Sequence, residues 1–168
     1  MQYRDVYPWL IHTTAITDKL VETAGEASLR VIRQGFQEAT TWDQQNNHDE
    51  TLLRVWCRDI EMSAHGRPCW YARTSIPEPT YQACQVFFEP LQSQSLKQLL
   101  FNNPDVERRS LVHYRIEERA VEYQWIPDDI KPKVYEPLWA RLSHWCLYQH
   151  FSFHLLEIFL PDVARYTA

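Results

Sequence analysis

Between Val55 and Pro77 the chain reads VWCRDIEMSAHGRPCWYARTSIP, two strand-like arms about the turn residues AHGR, and a hairpin of this length commits the surrounding chain to an antiparallel sheet. Gly66 supplies the positive φ that a tight turn demands. A two-residue loop at His65-Gly66, or a four-residue loop from Ala64 to Arg67, places Arg58 on the first arm opposite Arg73 on the second, whereas a three-residue loop would break that pairing. Period-two alternation puts Arg58 on the face of Trp56, Ile60 and Met62, an apolar neighbourhood for a guanidinium. Directly opposed Cβ atoms lie about 4.5–5.5 Å apart, where like charges repel. Two readings follow. A bound acidic small molecule, gripped bidentately by the two planar guanidinium groups, would offset the repulsion. Alternatively, both arginines pair with protein carboxylates or snorkel to the sheet edge.

The remaining segments fit an α+β chain in which a single antiparallel β-sheet is covered on one side by a few helices. Thr14 is a candidate N-cap and Gly25 a candidate C′ residue for a short helix, followed by a strand from Ser28 to Phe36 that ends at Gly35. TTWDQQNNHDE, Thr40 to Glu50, reads as an exposed loop. EPTYQACQVFFEPL and QSLKQLLFNNP read as helical, the second because Leu96, Leu99 and Leu100 share one face and Pro104 closes the run. Arg109 to Pro127 is expected to form a strand pair or one long strand, DDIKPKVYEP a loop stiffened by Pro132 and Pro137, and Trp139 to Gln149 and Phe151 to Leu160 the last two strands. A chain of 168 residues fits one domain, residues 1–168, and its 45% hydrophobic and 14% aromatic content supplies a large core.

Composition removes several functions. The net charge of −5 offers no electrostatic footprint for nucleic acid. No apolar run approaches the ~18 residues of a membrane span, and the N-terminus lacks the apolar core and small-residue cleavage site of a leader, so a soluble, cytoplasmic protein is expected. Cys57, Cys69, Cys84 and Cys146 are scattered without a CxxC, which favours reduced core thiols. With three glycines the chain has no phosphate-cradling loop of the GxGxxG or Walker type. His150 and His154 have helical ligand spacing, but in a strand they stand ~13 Å apart. No metal site is expected.

A second anomaly lies near the C-terminus. FSFHLLEIFLP is apolar except for Glu157 among its even-spaced neighbours Phe153, Leu155 and Phe159. A buried carboxylate must be paired, hydrogen-bonded or protonated. Unpaired, it would suit general acid or base work; paired, it is the ion-pair partner of an arginine.

These segments together resemble the chorismate pyruvate-lyase family. The resemblance is carried in order by AITDKL (Ala15 to Leu20), VIRQGF (Val31 to Phe36), WCRDIEMSAHGRPCWYARTSIP (Trp56 to Pro77), SLKQLLF (Ser95 to Phe101) and LLEIFLP (Leu155 to Pro161). It implies an antiparallel sheet with helical flaps folded over the ligand, and removal of pyruvate from chorismate to give 4-hydroxybenzoate at the entry to ubiquinone biosynthesis, without a cofactor. It also implies site residues. Arg58 would hold the ring carboxylate, Ile16 and Leu96 would contribute backbone contacts, and Glu157 would sit at the other end of the ring. Arg73 matches the family's second hairpin arginine and is expected to take the enolpyruvyl carboxylate. Ala72 stands where the family often has glycine, and between Ser110 and Trp139 the match is loose.

The rival reading is a non-catalytic sensor, since the effector-binding domains of one group of bacterial transcription regulators share a hairpin of this kind. Against it, the residues before Ser28 are too few and too little basic for a helix-turn-helix, and Arg58 and Glu157 occur together. A third reading is a scaffold in which Arg58 and Glu157 satisfy one another away from any cavity. A monomer is expected, because no apolar stripe is left over after the core is assigned.

Overall fold

The six strands are β1 (Ser28–Glu38), β2 (Arg54–Ala64), β3 (Arg67–Pro77), β4 (Val106–Ile116), β5 (Leu138–Leu147) and β6 (Phe151–Phe159). In the computed structural model, which describes residues 1–167, they form one antiparallel sheet in the order β1-β2-β3-β6-β5-β4. Two three-stranded meanders therefore meet where β3 pairs with β6. The helices are α1 (Tyr3–Leu10), α2 (Ile16–Ala24), α3 (Thr41–Asn46), α4 (Glu78–Ala83), α5 (Gln85–Phe88), α6 (Leu96–Leu100) and α7 (Val121–Trp125).

The β2–β3 hairpin closes as its turn chemistry requires, with His65 at φ 50° and Gly66 at φ 71°. Beside the turn, Ala64 faces Arg67 and Ser63 faces Pro68. Cys69 is then an extra residue on β3, and its carbonyl accepts from the Leu160 N–H at 2.9 Å. Beyond this bulge the pairing is displaced by one: Met62 faces Trp70, Asp59 faces Arg73 and Arg58 faces Thr74. A one-residue displacement reverses the face of every later side chain on the bulged strand. The expected opposition of Arg58 and Arg73 does not occur, and the two arginines point to opposite sides of the sheet.

Most of the helical mass lies on the face of Arg58. There α1 and α2 pack Val6, Trp9, Leu10, Ile16 and Leu20 onto Ile60, Met62, Trp70 and Phe159, while α4 to α6 pack Tyr81, Phe88, Leu96 and Leu100 onto Trp56, Ile76, Trp145 and Phe153. The other face also carries helices. Trp42 of α3, Tyr123 of α7 and the following Ile126 and Ile130 cover Tyr71, Leu138, Ala140, Leu156 and Ile158.

Local expectations fare unevenly. Gly25 closes α2 in the left-handed region at φ 87°, but Ala15 rather than Thr14 precedes its first turn, with no side-chain cap. β1 continues through Gly35, at φ 144°, to Glu38. Thr40 to Glu50 contains α3, because Thr40 and Asp43 form a reciprocal capping box at its start. Only β4 and α7 lie between Arg109 and Pro127, and α1 forms where no element is expected. All four cysteines are buried and unbonded.

The second face holds a buried polar cluster. Asp59 accepts from Arg73 Nε and Nη2, both at 2.8 Å, and from Arg33 Nε at 2.6 Å, while the Arg73 guanidinium lies 3.9 Å from the Trp125 ring centre. Ser75 donates to Asp43 at 2.8 Å. His154 stacks on His144 with ring centres 4.8 Å apart, and its Nδ1 is buried without a partner. Burial, helped by His144 and His48, pushes the His154 pKa down to about 4. Below the ordinary value of 6.5 the unfolded chain therefore takes up a proton that the folded chain refuses. Stability from His154 is complete above pH 6.5 and is lost as pH falls toward 4, by up to about 3 kcal/mol. Urea unfolding from pH 7 to pH 4 should show this loss, and His154→Leu should flatten it.

Candidate functional site

Register alone arranges the centre of the Arg58 face. Across the sheet, Arg58 on β2 faces Thr74 on β3, which faces Leu155 on β6, which faces Ser143 on β5. In the adjacent row, Ile60 faces Ala72, Ala72 faces Glu157, and Glu157 faces Arg141. Arg58 and Glu157 are thus two strands and one row apart, or about 12 Å between backbone positions. Small side chains, Ala72 and Thr74, lie between them. The result is a cavity of about 160 Å³ on this face, walled below by the sheet and above by the starts of α2 and α6. A dry cavity of about this size accepts one six-membered ring.

The roof is fixed from both sides. Arg141 donates from Nη1 to the carbonyls of Trp9 at 3.1 Å and His12 at 2.7 Å, and Arg108 on β4 donates to the Thr13 carbonyl at 2.6 Å. These bonds satisfy carbonyls at the end of α1 and in the turn after it, where the helix itself supplies no donors. They also deliver Ile16 to the cavity. Ile16 and Leu96 are each the first residue of a helix, where N–H groups have no intrahelical acceptor. Lys97 on α6 and Asp18 on α2 form an exposed ion pair across the roof.

The charges are unequal. Glu157, 4% exposed, accepts from Arg141 Nε at 2.7 Å, so it is ion-paired, and the premise of an unpaired carboxylate does not hold. Arg58, 5% exposed, has no carboxylate partner among the described residues. Among the described residues its Nη2 reaches only the Gln94 carbonyl, at 3.4 Å, and its Nε is buried with no partner. Burial lowers its pKa from the ordinary guanidinium value, an effect an anion in the cavity would oppose. Ser143 Oγ and Trp145 Nε1 are also buried without partners among the described residues, and both residues line the cavity. A hollow with an uncompensated cation and unpartnered donors suits an anionic, oxygen-bearing ring compound.

Four of the five site residues expected from sequence, Ile16, Arg58, Leu96 and Glu157, line this cavity. Arg73 does not; the Cys69 bulge turns it to the far face, where Asp59 holds it. The scaffold reading also fails, because Glu157 pairs with Arg141 rather than Arg58 and both line the hollow. Sequence reasoning missed Arg108 and Arg141, together with Ser143 and Trp145. Arg141 had a signal: a charge in the apolar strand WARLSHWCL that faces Glu157 once the connection is three residues, Tyr148 to His150.

The fold and site define an α+β domain with one antiparallel sheet, helices over both faces and a small hollow under the helices on the Arg58 face. The sequence profile of the family described as Chorismate lyase matches residues 2–165. This chain belongs to that family. It is 26% identical over 158 residues to a chorismate pyruvate-lyase of Pectobacterium carotovorum subsp. carotovorum, covering 94% of this chain and 78% of the relative. Among solved structures, it resembles the C-terminal domain of the histidine utilization repressor from Pseudomonas syringae pv. tomato (TM-score 0.60, 12% identity, 82% of this chain and 93% of that one). It also resembles a GntR-family transcriptional regulator from Bacillus cereus (TM-score 0.57, 12% identity, 81% and 92%). At these identities the structural likeness establishes the fold alone.

Arg58 and Arg141 should respond oppositely to the same change. Arg141→Met leaves Glu157 buried and unpaired and should cost about 3–5 kcal/mol in urea unfolding. Arg58→Met removes a buried charge that has no protein counter-ion, so stability should hold or rise.

Proposed function

We propose that this chain is a chorismate pyruvate-lyase, eliminating pyruvate from chorismate to give 4-hydroxybenzoate, the entry step to ubiquinone. The observation that carries this reading is Arg58: a buried guanidinium with no counter-ion among the described residues, across a ring-sized hollow from Glu157. Arg58 binds the ring carboxylate, and Glu157, held by Arg141, receives the C4 hydroxyl end. The backbone N–H groups of Ile16 and Leu96 contribute further donors at the roof.

In the reaction the C3–oxygen bond of chorismate breaks and the proton on C4 is lost. Aromatisation of the ring drives the step. The released enolpyruvate takes up a proton at its methylene carbon and becomes pyruvate. The chain's part is to hold the ring in one orientation, exclude water, and place Glu157 beside the C4 position. No metal or nucleotide enters this scheme. Because the hollow fits the flat product as well as the reacting ring, 4-hydroxybenzoate should bind tightly and leave slowly.

Purified protein incubated with chorismate alone should give 4-hydroxybenzoate and pyruvate in equal amounts. Arg58→Ala and Glu157→Ala should each lower kcat/KM by about 10²-fold or more. Tight binding of 4-hydroxybenzoate with no turnover would replace the lyase by a sensor.

A further inference from the structure

Chorismate carries two carboxylates, and Arg73, the cation expected for the second, lies behind the sheet. We infer that Arg108, Ser143 and Trp145 form the subsite for the enolpyruvyl arm, with Arg108 as the counter-ion of its carboxylate. This inference rests on the lyase reading above and extends it to residues that discriminate substrate from product.

Position is the first support. The arm leaves the ring at C3, next to the hydroxyl-bearing C4 that is placed at Glu157. On the sheet, Glu157 faces Arg141, and Ser143 lies two residues further along the same face of β5, with Trp145 two beyond that. Trp145 in turn faces Arg108 on β4. Ser143 lies in the same cross-strand row as Arg58, three strands from it, so the three side chains line the β5–β4 side of the cavity, beside the line from Arg58 to Glu157.

Unmet bonding capacity is the second. Ser143 is 1% exposed and Trp145 4%, and the hydroxyl and indole N–H of these residues have no partner among the described residues. A buried donor left unpaired carries a desolvation penalty that an ether or carboxylate oxygen would relieve. The Arg108 guanidinium has no carboxylate partner among the described residues; it donates to the Thr13 carbonyl and lies 5.3 Å from the Trp145 ring centre. A guanidinium has donors to spare beyond that one bond.

Space is the third. The cavity of about 160 Å³ suits a ring, and chorismate is larger than its aromatic product. Arg108 and Trp145, with Leu100 and Phe101, also line a neighbouring surface groove. The added volume of the arm can be taken up at this wall with little displacement of the sheet.

Because 4-hydroxybenzoate has no arm, the subsite should matter for substrate and not for product. Arg108→Gln removes the charge and, being shorter by about two bonds, gives up the Thr13 carbonyl to water, while Arg141 still holds the roof through the Trp9 and His12 carbonyls. It should lower kcat/KM for chorismate about 10- to 100-fold while leaving the Kd of 4-hydroxybenzoate, read by calorimetry, within about two-fold of wild type. Arg108→Lys should recover part of the loss. Ser143→Ala and Trp145→Phe should show the same split at smaller amplitude, and retained product binding certifies that each variant is folded. Arg58→Ala should lose both. If Arg108→Gln turns over chorismate like the wild type, or loses 4-hydroxybenzoate affinity in step with chorismate, the subsite is overturned while the lyase stands. A wild-type protein that makes no 4-hydroxybenzoate overturns the lyase reading and the subsite with it.

Discussion

A single inserted residue, Cys69, decides which charges meet a ligand and which are buried behind it. Without the bulge, β3 would present Arg73 beside Arg58 on the cavity face and leave Asp59 without its main partner. With it, Thr74 and Ala72 form the floor, and Arg73 and Asp59 neutralise one another on the far side. The bulge is itself held, because the Cys69 carbonyl is bonded by the Leu160 N–H at the end of β6, the strand that carries Glu157. One backbone irregularity thereby fixes the register of β3, its seam with β6, and the separation of Arg58 from Glu157.

The site depends on that separation because its charges are not internally balanced. Taking a guanidinium out of water costs several kcal/mol even after relaxation, and a protein that bears the cost without a counter-ion must recover it from packing elsewhere. Here the surroundings are large buried aromatics, Trp56, Trp70, Trp145 and Phe153, which supply apolar burial on the same face. Pairing Arg58 with a protein carboxylate would raise stability and fill the binding position. The far-face cluster shows the alternative: Asp59 between Arg33 and Arg73 has its partners in place and leaves no room for a ligand.

The hairpin, the terminal strands and the helical stretches on the cavity face were legible in the sequence because each follows from local periodicity or a glycine turn. The positions of Arg58 and Glu157 were legible as charges on otherwise apolar faces. The bulge was not, since nothing in PCWYAR marks which residue will be left unpaired. One unseen residue was enough to misplace Arg73. Arg108 escaped because a strand with the mixed sequence VERRSLVHYRI gives no clear inward face, and its place at the cavity depends on Trp145, 37 residues away, being opposite it. α3 was hidden by a polar composition that its capping box overrides.

Charge bookkeeping links the subsite to turnover under the proposed function. Arg58, Arg108 and Arg141 face one carboxylate, Glu157, and Lys97 is already paired with Asp18, so the lining carries two positive charges in excess. A dianion such as chorismate cancels them. After the carbon–oxygen bond breaks, each product takes one carboxylate, and the two halves have very different hold. 4-Hydroxybenzoate keeps the fully buried Arg58, whereas pyruvate keeps Arg108, half-buried at a wall shared with a surface groove and therefore able to be hydrated once the acid departs. Release in that order leaves the costlier cation neutralised until the end. A site built to stabilise a buried, otherwise unpartnered guanidinium will hold its aromatic product for the same reason that it recognises its substrate.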